Sequence, residues 1–331
     1  MTDRVGFEDP RVTIVMYHYV RSAAASRFPR LPALDVAAFR GQLDYIQRHY
    51  SPISSNDLIE AARGTTMLPA RAILLTFDDG YADHFSEVFP LLRERGISGM
   101  FFPVTMSLIE RRVLDVNKIQ FVLAAAGDPE PIARDIDETV ERLRKRNDIR
   151  SVDEYRADGL KAIRYDTPEA SYVKYMLQRA LPEDVRSVLV EDLFARLVSA
   201  DERAFGDALY LTVDQAREMA ANGMTIGCHA DRHVMLTTLT RDGQAREIDG
   251  ALRVLDAVNL PRTSFAYSYA KGAHDADSID LLRARGCALA VTNVPDVAVV
   301  SPDTMLSLPR LDANHLPTDG RAAPNEWSHR A

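Results

Sequence analysis

Short apolar runs alternate with amphipathic helical patterns through most of the chain, and this alternation limits the fold more than any other feature. The runs are continuous rather than alternately polar, which is typical of strands buried on both faces of a parallel sheet. We predict strands at residues 12–17, 72–77, 99–104, 224–228, 264–269, 287–292 and 304–308. Helices are predicted between them at residues 37–49, 84–95, 241–258 and 275–285. The pattern predicts an α/β fold of parallel strands with helical crossovers, either an open sheet or a barrel.

The alternation stops between residues 107 and 206, where the patterns are almost entirely helical. One predicted helix in this segment has an apolar face formed by Val185, Val188, Leu189, Leu193, Phe194 and Leu197. We therefore predict one α/β domain in two parts, residues 10–106 and 207–316, with a helical insertion at residues 107–206. The last residues, 317–331, contain Pro, Gly, Asn and Ser and are predicted to form a loose tail.

Charge and hydropathy argue against several classes of protein. The 331 residues carry a net charge of −8, which argues against general binding to nucleic acid or to an anionic membrane surface. No apolar run is long enough to span a bilayer, and Met1–Glu8 lacks the basic and apolar regions of a secretory signal. We therefore expect a cytoplasmic protein in which Cys228 and Cys287 are reduced, buried side chains.

The strongest local motif is Thr76-Phe77-Asp78-Asp79-Gly80, which places two carboxylates where a predicted strand meets a glycine turn. In parallel α/β folds the reactive groups gather at the carboxyl ends of the strands. Two adjacent charges at such a position are costly unless something neutralises them, and a divalent cation would do so. The alternative interpretation is an ordinary Asp-Asp-Gly surface turn.

A second motif follows the strand predicted at residues 224–228, where His229 and His233 are four residues apart. On a helical turn this spacing projects both imidazoles to the same side, so that they can share one metal ion. Two His and one Asp would form a three-ligand site with positions open for water and substrate, which is typical of a catalytic metal rather than a structural zinc. The alternative is a pair of surface histidines. Cys228 is not a predicted ligand, since consecutive strand residues point to opposite faces.

These residues resemble the polysaccharide deacetylase family, also called the NodB-homology family, whose first two motifs are T-F-D-D-G and H-(S/T)-x-x-H. The resemblance covers about residues 10–105 and 207–316. It implies a distorted (β/α) barrel of about seven parallel strands. It also implies that Asp78 is the general base and that Asp79 binds a divalent cation, with zinc the first expectation, together with both histidines. The second motif departs from the family at Ala230, where a hydroxyl residue is usual, which implies the loss of a supporting hydrogen bond but not of metal ligation.

The third family motif, R-x-P-x-G, is degenerate in this chain, at residues 266–272. No Arg stands where the family has the Arg that steadies the base, and Ser268 replaces the Pro. The resemblance places the backbone N–H of Tyr269 in the oxyanion hole, next to the substrate. The alternative is that Tyr267 and Tyr269 alternate into the core, which is our interpretation for Tyr267.

The family's last motif supplies a histidine as general acid, and His315 is the candidate in this chain, with an exposed loop histidine as the alternative. Arg310 and Asp312 follow the last predicted strand, where they would orient the base, the acid or the substrate, or form a surface ion pair. His18 ends the first strand and is a candidate for substrate contact or a hydrogen-bonded, half-buried histidine. We expect His84 to be an ordinary surface or packing residue.

The resemblance implies a metal-dependent hydrolase of linear amide C–N bonds that removes an acetyl, or a formyl, group from the nitrogen of an amino sugar. Without a secretory signal, the expected substrate is a surface glycan, such as an O-antigen of lipopolysaccharide or a capsule, or its nucleotide- or lipid-linked precursor. The helical insertion would cover the site, form a homo-oligomer, contact a membrane-bound carrier peripherally, or only support the scaffold. Two alternatives stay open: a metal-independent amidohydrolase of the same fold acting on a cyclic amide, and a non-catalytic glycan-binding protein.

Overall fold

The computed structural model describes residues 10–22, 24, 26–144, 149–160 and 167–330. The chain divides into two compact units. The first, called the α/β unit, comprises the described residues of Met1–Arg21, Ala33–Arg111 and Gly206–Ala331. The second, called the helical unit, comprises those of Ser22–Pro32 and Arg112–Phe205.

The strands of the α/β unit are β1 Arg11–Tyr17, β2 Ser51–Pro52, β3 Ala72–Asp79, β4 Gly99–Pro103, β5 Thr225–Ile226, β6 Phe265–Ser268, β7 Cys287–Val291, β8 Ala298–Val299 and β9 Leu311–Asp312. The strands predicted in the first part of the chain are confirmed as β1, β3 and β4, whose residues are almost all buried. Those predicted around residues 224–292 are confirmed as β5, β6 and β7, although β5 is shorter than predicted.

The strand predicted at residues 304–308 is wrong. This segment is a turn that ends in a single bridge between Leu308 and Val291. The hydroxyl of Thr304 donates to the Val299 carbonyl at 2.7 Å and accepts from the N–H of Ser301 at 3.0 Å. Such local side-chain hydrogen bonds compete with strand pairing, and they keep the apolar residues of this segment in a buried turn.

The parallel sheet is built outward from β1 and β3. Residues from Thr13 opposite Ile73 to Tyr17 opposite Phe77 pair β1 with β3 in parallel. On its other side β3 pairs in parallel with β4, and β4 pairs with β5. Because Tyr17 lies opposite Phe77, the residue after β1 is brought beside the end of β3.

Strand pairing continues beyond this sheet through isolated bridges. β6 and β7 form a parallel pair. Cys228 bridges to Tyr267 in β6, Val291 in β7 bridges to Leu308, and β9 pairs in parallel with β1. Single bridges at Cys228 and Leu308 thus link the β6–β7 pair to the segments that follow β5 and precede β9, while β8 pairs antiparallel with β1. The predicted α/β fold with a parallel sheet is confirmed.

The α-helices of the α/β unit are α1 Val36–His49, α2 Ser55–Ala62, α3 Phe89–Glu94, α4 Thr105–Leu108, α11 Val213–Ala221, α12 Arg241–Ala251, α13 Arg253–Ala257, α14 Ala276–Ala284 and α15 Glu326–Arg330. The helix predicted at 84–95 begins as a π-helical turn, His84–Val88, before α3. Thr212 and Gln215 form a capping box at the start of α11.

The helical unit contains α5 Asp115–Ala126, α6 Glu130–Arg144, α7 Val152–Leu160, α8 Pro168–Tyr175 and α9 Glu183–Leu197, and α10 Glu202–Leu209 begins in it. The predicted helix at 185–197 is confirmed as α9, but its predicted apolar face is partly wrong. Val188 is 69% exposed, whereas Val190 is buried with Leu193 and Phe194. Among the described residues, no helix is long and apolar enough to cross a bilayer.

The segment predicted as a loose tail instead packs against α1. Residues 326–330 form α15, and the Tyr45 hydroxyl of α1 accepts from the N–H of Asn325 at 3.2 Å. A Cβ at Gly41 would lie 1.9 Å from the Thr318 carbonyl oxygen, so only glycine permits this approach. The loose-tail prediction is wrong because composition does not register such tertiary contacts.

Candidate active site

The two aspartates lie where β3 ends in a tight turn. Asp78 and Asp79 are 2% and 3% exposed. The backbone at Asp79 and Gly80 is left-handed, with φ of 69° and 72°, a conformation that few residues other than glycine adopt. A Cβ at Gly80 would lie 2.6 Å from the Cβ of Pro103 in β4, so this position requires glycine. The motif is therefore a buried strand end and not a surface turn.

The two histidines lie in the loop after β5, and the helical turn predicted for them is wrong. Ala230 and His233 have left-handed φ values of 62° and 58°, and the rings of His229 and His233 have centroids 4.9 Å apart. The Nδ1 of His229 lies 2.8 Å from the Ser268 carbonyl oxygen. Because a carbonyl can only accept, this Nδ1 carries the proton and the Nε2 lone pair is free to bind a metal.

Asp79 lies between the two imidazoles. Its Oδ1 is 3.5 Å from the Nε2 of His229 and 3.4 Å from the Nε2 of His233. One ligand atom from each of the three residues lies within 4.8 Å of the others. Among the residues that the structure describes, this is the group of His, Cys, Asp and Glu side chains whose spacing suits a bound ion. The three predicted ligands thus converge, although the metal itself stays a prediction.

The hydrogen bonding of Asp79 fits a metal ligand. Its Oδ2 accepts from the Tyr81 hydroxyl at 2.5 Å, whereas its Oδ1 is buried without a hydrogen-bond partner. A buried, unpaired carboxylate oxygen is costly, and a cation would remove that cost. Burial raises the pKa of Asp79, but His233, His18 and His229 outweigh burial and hold it below its ordinary value.

Asp78 is held by Arg310, which follows the turn at residues 301–308. The Nη1 of Arg310 donates to Oδ1 of Asp78 at 2.9 Å, and its Nη2 donates to Oδ2 at 2.7 Å. Burial raises the pKa of Asp78, but Arg310, His229 and His18 outweigh burial and hold it well below its ordinary value. Asp78 is therefore ionised at neutral pH. Its Oδ2 also accepts from the Ser268 hydroxyl at 3.3 Å, so acceptor capacity remains at Oδ1.

Arg310 uses all five of its N–H donors within the protein. Besides Asp78, it donates to the Thr76 hydroxyl at 3.0 Å, the Ser268 hydroxyl at 3.0 Å and the Thr292 carbonyl at 2.6 Å. The side chain is 1% exposed. Substrate binding by Arg310 is therefore contradicted, because no donor is left for a ligand. Arg310 instead does for Asp78 what the missing third-motif Arg does in the family.

The oxyanion-hole prediction for Tyr269 is wrong. Its N–H donates to the Val291 carbonyl at 3.1 Å, and its hydroxyl donates to the Leu306 carbonyl at 2.9 Å. The side chain is buried, so direct substrate contact is contradicted as well. The physical reason is that pairing between β6 and β7 extends one residue past β6 and uses the amide. Tyr267 is also buried, as we predicted.

His18, Asp312 and His315 have different surroundings. His18 is half-buried, and its charge contributes to lowering the pKa of both Asp79 and, to a smaller extent, Asp78. His315 packs its ring against Trp327 at 5.4 Å, and its Nδ1 is buried without a hydrogen-bond partner. The carboxylate of Asp312 accepts from the N–H of Asn314 at 2.9 Å. The catalytic role of His315 and the substrate roles of His18 and Asp312 stay predictions.

Three residues around the carboxylates were not predicted to take part in the site. Tyr81 binds Asp79, while Thr76 and Ser268 bind Arg310. Thr76 also donates to the Val15 carbonyl at 2.8 Å, which ties β3 to β1. Thr76 belongs to the first motif and Tyr81 directly follows it, so their proximity to the aspartates was visible in the sequence. The role of Ser268 depends on its contact with Arg310, which is distant in the sequence, so this role was not visible in the sequence.

The fold and this site define a class of α/β protein with a candidate Asp-His-His metal centre beside an Arg-bound aspartate. The family profile described as "Polysaccharide deacetylase" matches residues 66–149 and 197–290, which is more than half of the chain. The chain belongs to the polysaccharide deacetylase family.

Curated relatives match over part of the chain. The poly-beta-1,6-N-acetyl-D-glucosamine N-deacetylase of Escherichia coli K12 is 34% identical over 91 residues, which are 27% of this chain and 13% of that protein. The putative polysaccharide deacetylase YxkH of Bacillus subtilis is 22% identical over 99 residues, which are 30% of this chain and 33% of that protein. The matched segments therefore cover only a third or less of these relatives.

Solved structures resemble nearly the whole chain. The Streptococcus pyogenes deacetylase PplD, in complex with acetate, has a TM-score of 0.55 and 17% identity, and the match covers 94% of each chain. IcaB from Ammonifex degensii has a TM-score of 0.53 and 16% identity, with 97% of this chain and 94% of that chain covered. At these identities the likeness shows that the fold is shared.

Proposed function

We propose that this protein is a metal-dependent N-deacylase that hydrolyses the acyl amide of amino sugars in a glycan. One observation carries the proposal: the ligand cluster of Asp79, His229 and His233 lies beside the ionised, Arg-bound carboxylate of Asp78. Family membership supports the same chemistry. The complete ligand set argues against the metal-independent alternative.

The three ligands would hold a divalent cation, with zinc the first candidate, which supplies Lewis-acid activation of a water and of the acyl carbonyl when bound. Asp78 is the proposed base. Arg310 keeps it ionised and fixes its orientation, while Oδ1 can still accept a proton. The bidentate contact with Arg310 lowers the basicity of Asp78, which by itself would slow proton transfer. It also fixes the orientation of the carboxylate, and this increases the rate more when geometry limits the reaction.

We propose His18 as the general acid in preference to His315. His18 directly follows β1, whose last residue lies opposite Phe77, so it stands beside the aspartates. In the proposed reaction the acyl C–N bond breaks as a C–O bond to water forms. Asp78 accepts one proton from water, His18 gives one proton to the departing nitrogen, and exchange with solvent restores both.

The substrate proposal starts from the name of the Escherichia coli relative, a poly-beta-1,6-N-acetyl-D-glucosamine N-deacetylase. We propose an N-acetylglucosamine-containing glycan as the first substrate. An O-antigen or capsule precursor on a nucleotide or lipid carrier is the second, and formyl is the second acyl group. A cytoplasmic location and a homo-oligomer remain predictions.

The test uses the purified 331-residue chain loaded with zinc. It is incubated with β-1,6-linked N-acetylglucosamine oligomers and, separately, with a nucleotide-linked N-acetylglucosamine, and released acetate and free amines are measured. We expect equal amounts of both products from one of the two substrates, and none from the Asp79→Ala variant. A zinc-loaded protein that releases neither product from either substrate would contradict the proposal.

A further inference from the structure

The loop that carries His18 is attached to the segment after β3 by three separate contacts. The Nε2 of His84 lies 2.9 Å from the His18 carbonyl oxygen. The rings of Tyr19 and Tyr81 stack with centroids 4.0 Å apart, and the Nε of Arg21 lies 2.5 Å from Oδ2 of Asp83. This attachment joins the proposed acid to the turn that follows the metal-binding strand.

His84 itself is fully buried among aromatic rings, so it is not a surface residue, and of the two predicted alternatives the structure shows the packing one. The ring centroids of Phe77, Tyr81 and Phe101 lie 5.5, 5.5 and 5.7 Å from that of His84. Burial lowers the pKa of His84 to about 4, so the imidazole is neutral at physiological pH. Since the His18 carbonyl only accepts, the single ring proton is on Nε2.

The second ring nitrogen shows that packing alone does not explain a histidine at this position. Nδ1 of His84 is buried without a hydrogen-bond partner. Burying an unpaired polar atom is costly, and an apolar side chain of similar size would fill the same space without that cost. What the imidazole adds is one directed hydrogen bond, and that bond goes to the backbone of His18.

We propose that His84 is a positioning residue that fixes His18 over the departing nitrogen by holding its carbonyl. The inference rests on the proposed function, in which His18 is the acid. Tyr81 and His84 lie three residues apart, so one turn after β3 orients both a metal ligand, Asp79, and the acid. Displacing a catalytic group by about 1 Å can cost roughly 100-fold in rate.

The main test compares His84→Leu, which removes the donor, with His84→Gln, whose amide nitrogen occupies the place of Nε2. We expect His84→Leu to lower kcat for the N-acetyl substrate about 10- to 100-fold with KM and bound zinc unchanged, and His84→Gln to restore most of it. Val88→Ala is the matched control, because Val88 is equally buried in the same π-helical turn. It should lower the melting temperature and leave kcat unchanged.

Two further measurements separate positioning from structural damage. Hydrolysis of 4-nitrophenyl acetate needs no acid, because nitrophenolate leaves unprotonated, so His84→Leu should spare it. In a His18→Ala background, His84→Leu should cause no further loss of amide hydrolysis. If His84→Leu does not fold, His84→Asn takes its place in both measurements, because its amide reaches only the position of Nδ1.

The possible failures are distinguishable. Equal losses from the His84 substitution with and without His18 would overturn the positioning role alone, as would loss of ester hydrolysis. Full amide hydrolysis by His18→Ala would refute His18 as the acid, and the positioning role with it. Retained zinc binding and acetate release would still leave the deacylase itself in place.

Discussion

The α/β unit and the helical unit both bury charged side chains, but the partners of these charges are buried in the α/β unit and partly exposed in the helical unit. In the α/β unit, buried Asp78 is bound by a second buried side chain, Arg310, and buried Asp79 retains an unpaired oxygen. In the helical unit, buried Lys118 is bound by Glu191 and Glu202. The side chains of these two glutamates are 44% and 25% exposed.

The comparison shows what distinguishes a reactive site from a structural ion pair. Lys118 reaches out to partners that water also solvates, and its ammonium lies 5.7 Å from the Phe194 ring, so its charge is compensated. Asp78 and Asp79 keep unused acceptor capacity in a buried place. Buried carboxylates whose acceptor capacity is not fully used are typical of catalytic sites. Substitutions in the two units should therefore have different consequences.

The largest expected effect is the loss of turnover caused by the substitution Asp78→Asn. Loss of the proton acceptor should lower kcat about 1,000-fold or more, while bound zinc stays at the wild-type level because Asp79 and both histidines remain. Released acetate and zinc content by atomic absorption check both parts. If the variant also loses zinc, the division of roles between the two aspartates is wrong.

Arg310→Met should reduce both turnover and stability. It leaves Asp78 buried and unpaired, a change that typically costs about 3–5 kcal/mol, and burial should then raise the pKa of Asp78. In the wild type the lowered pKa of Asp78 stabilises the fold above the ordinary carboxyl pKa of about 4, and this contribution is lost as the pH falls further. The stability gap between variant and wild type in urea unfolding should therefore be largest where Asp78 is ionised in both proteins, and it should narrow as the pH falls through the raised pKa of Asp78 in the variant. A gap independent of pH would contradict this account.

Tyr81→Phe should weaken metal binding. The hydroxyl fixes the orientation of Asp79, and loss of such a supporting hydrogen bond typically lowers metal affinity about 10- to 100-fold. Competition with a zinc chelator measures the affinity, and kcat at saturating zinc should change much less. Phe85→Leu, a nearby substitution at a ring that stacks on Phe89, is the control and should leave zinc affinity unchanged.

The smallest expected effect is that of Lys118→Met in the helical unit. The new side chain keeps the apolar stem, and the two partly exposed glutamates can be solvated, so the free energy of unfolding should change by less than about 2 kcal/mol. Both kcat and zinc content should be unchanged. A loss of turnover as large as that of Arg310→Met would show that the comparison between the units is wrong.

Local sequence patterns predicted much of the site. Thr76–Gly80 is a buried segment that ends in two carboxylates and a glycine. These features lie next to one another in the sequence, so they can be recognised without knowledge of the fold. The convergence of His229 and His233 was predicted correctly, but the predicted backbone conformation was wrong. The two imidazoles are brought together by the left-handed backbone at Ala230 and His233, and not by a helical turn. The assignment of Tyr269 failed because the partner of its amide lies on another strand.

The sequence by itself determined the strand and helix alternation, the three candidate metal ligands and the candidate base, because these depend on residue type and short-range spacing. Only the tertiary structure decided what holds Asp78, since Arg310 is 232 residues away and reaches it through strand pairing around the sheet. It also decided that His84 contacts the backbone of His18, 66 residues away. Such contacts depend on which strand ends meet, and that is a property of the folded chain as a whole.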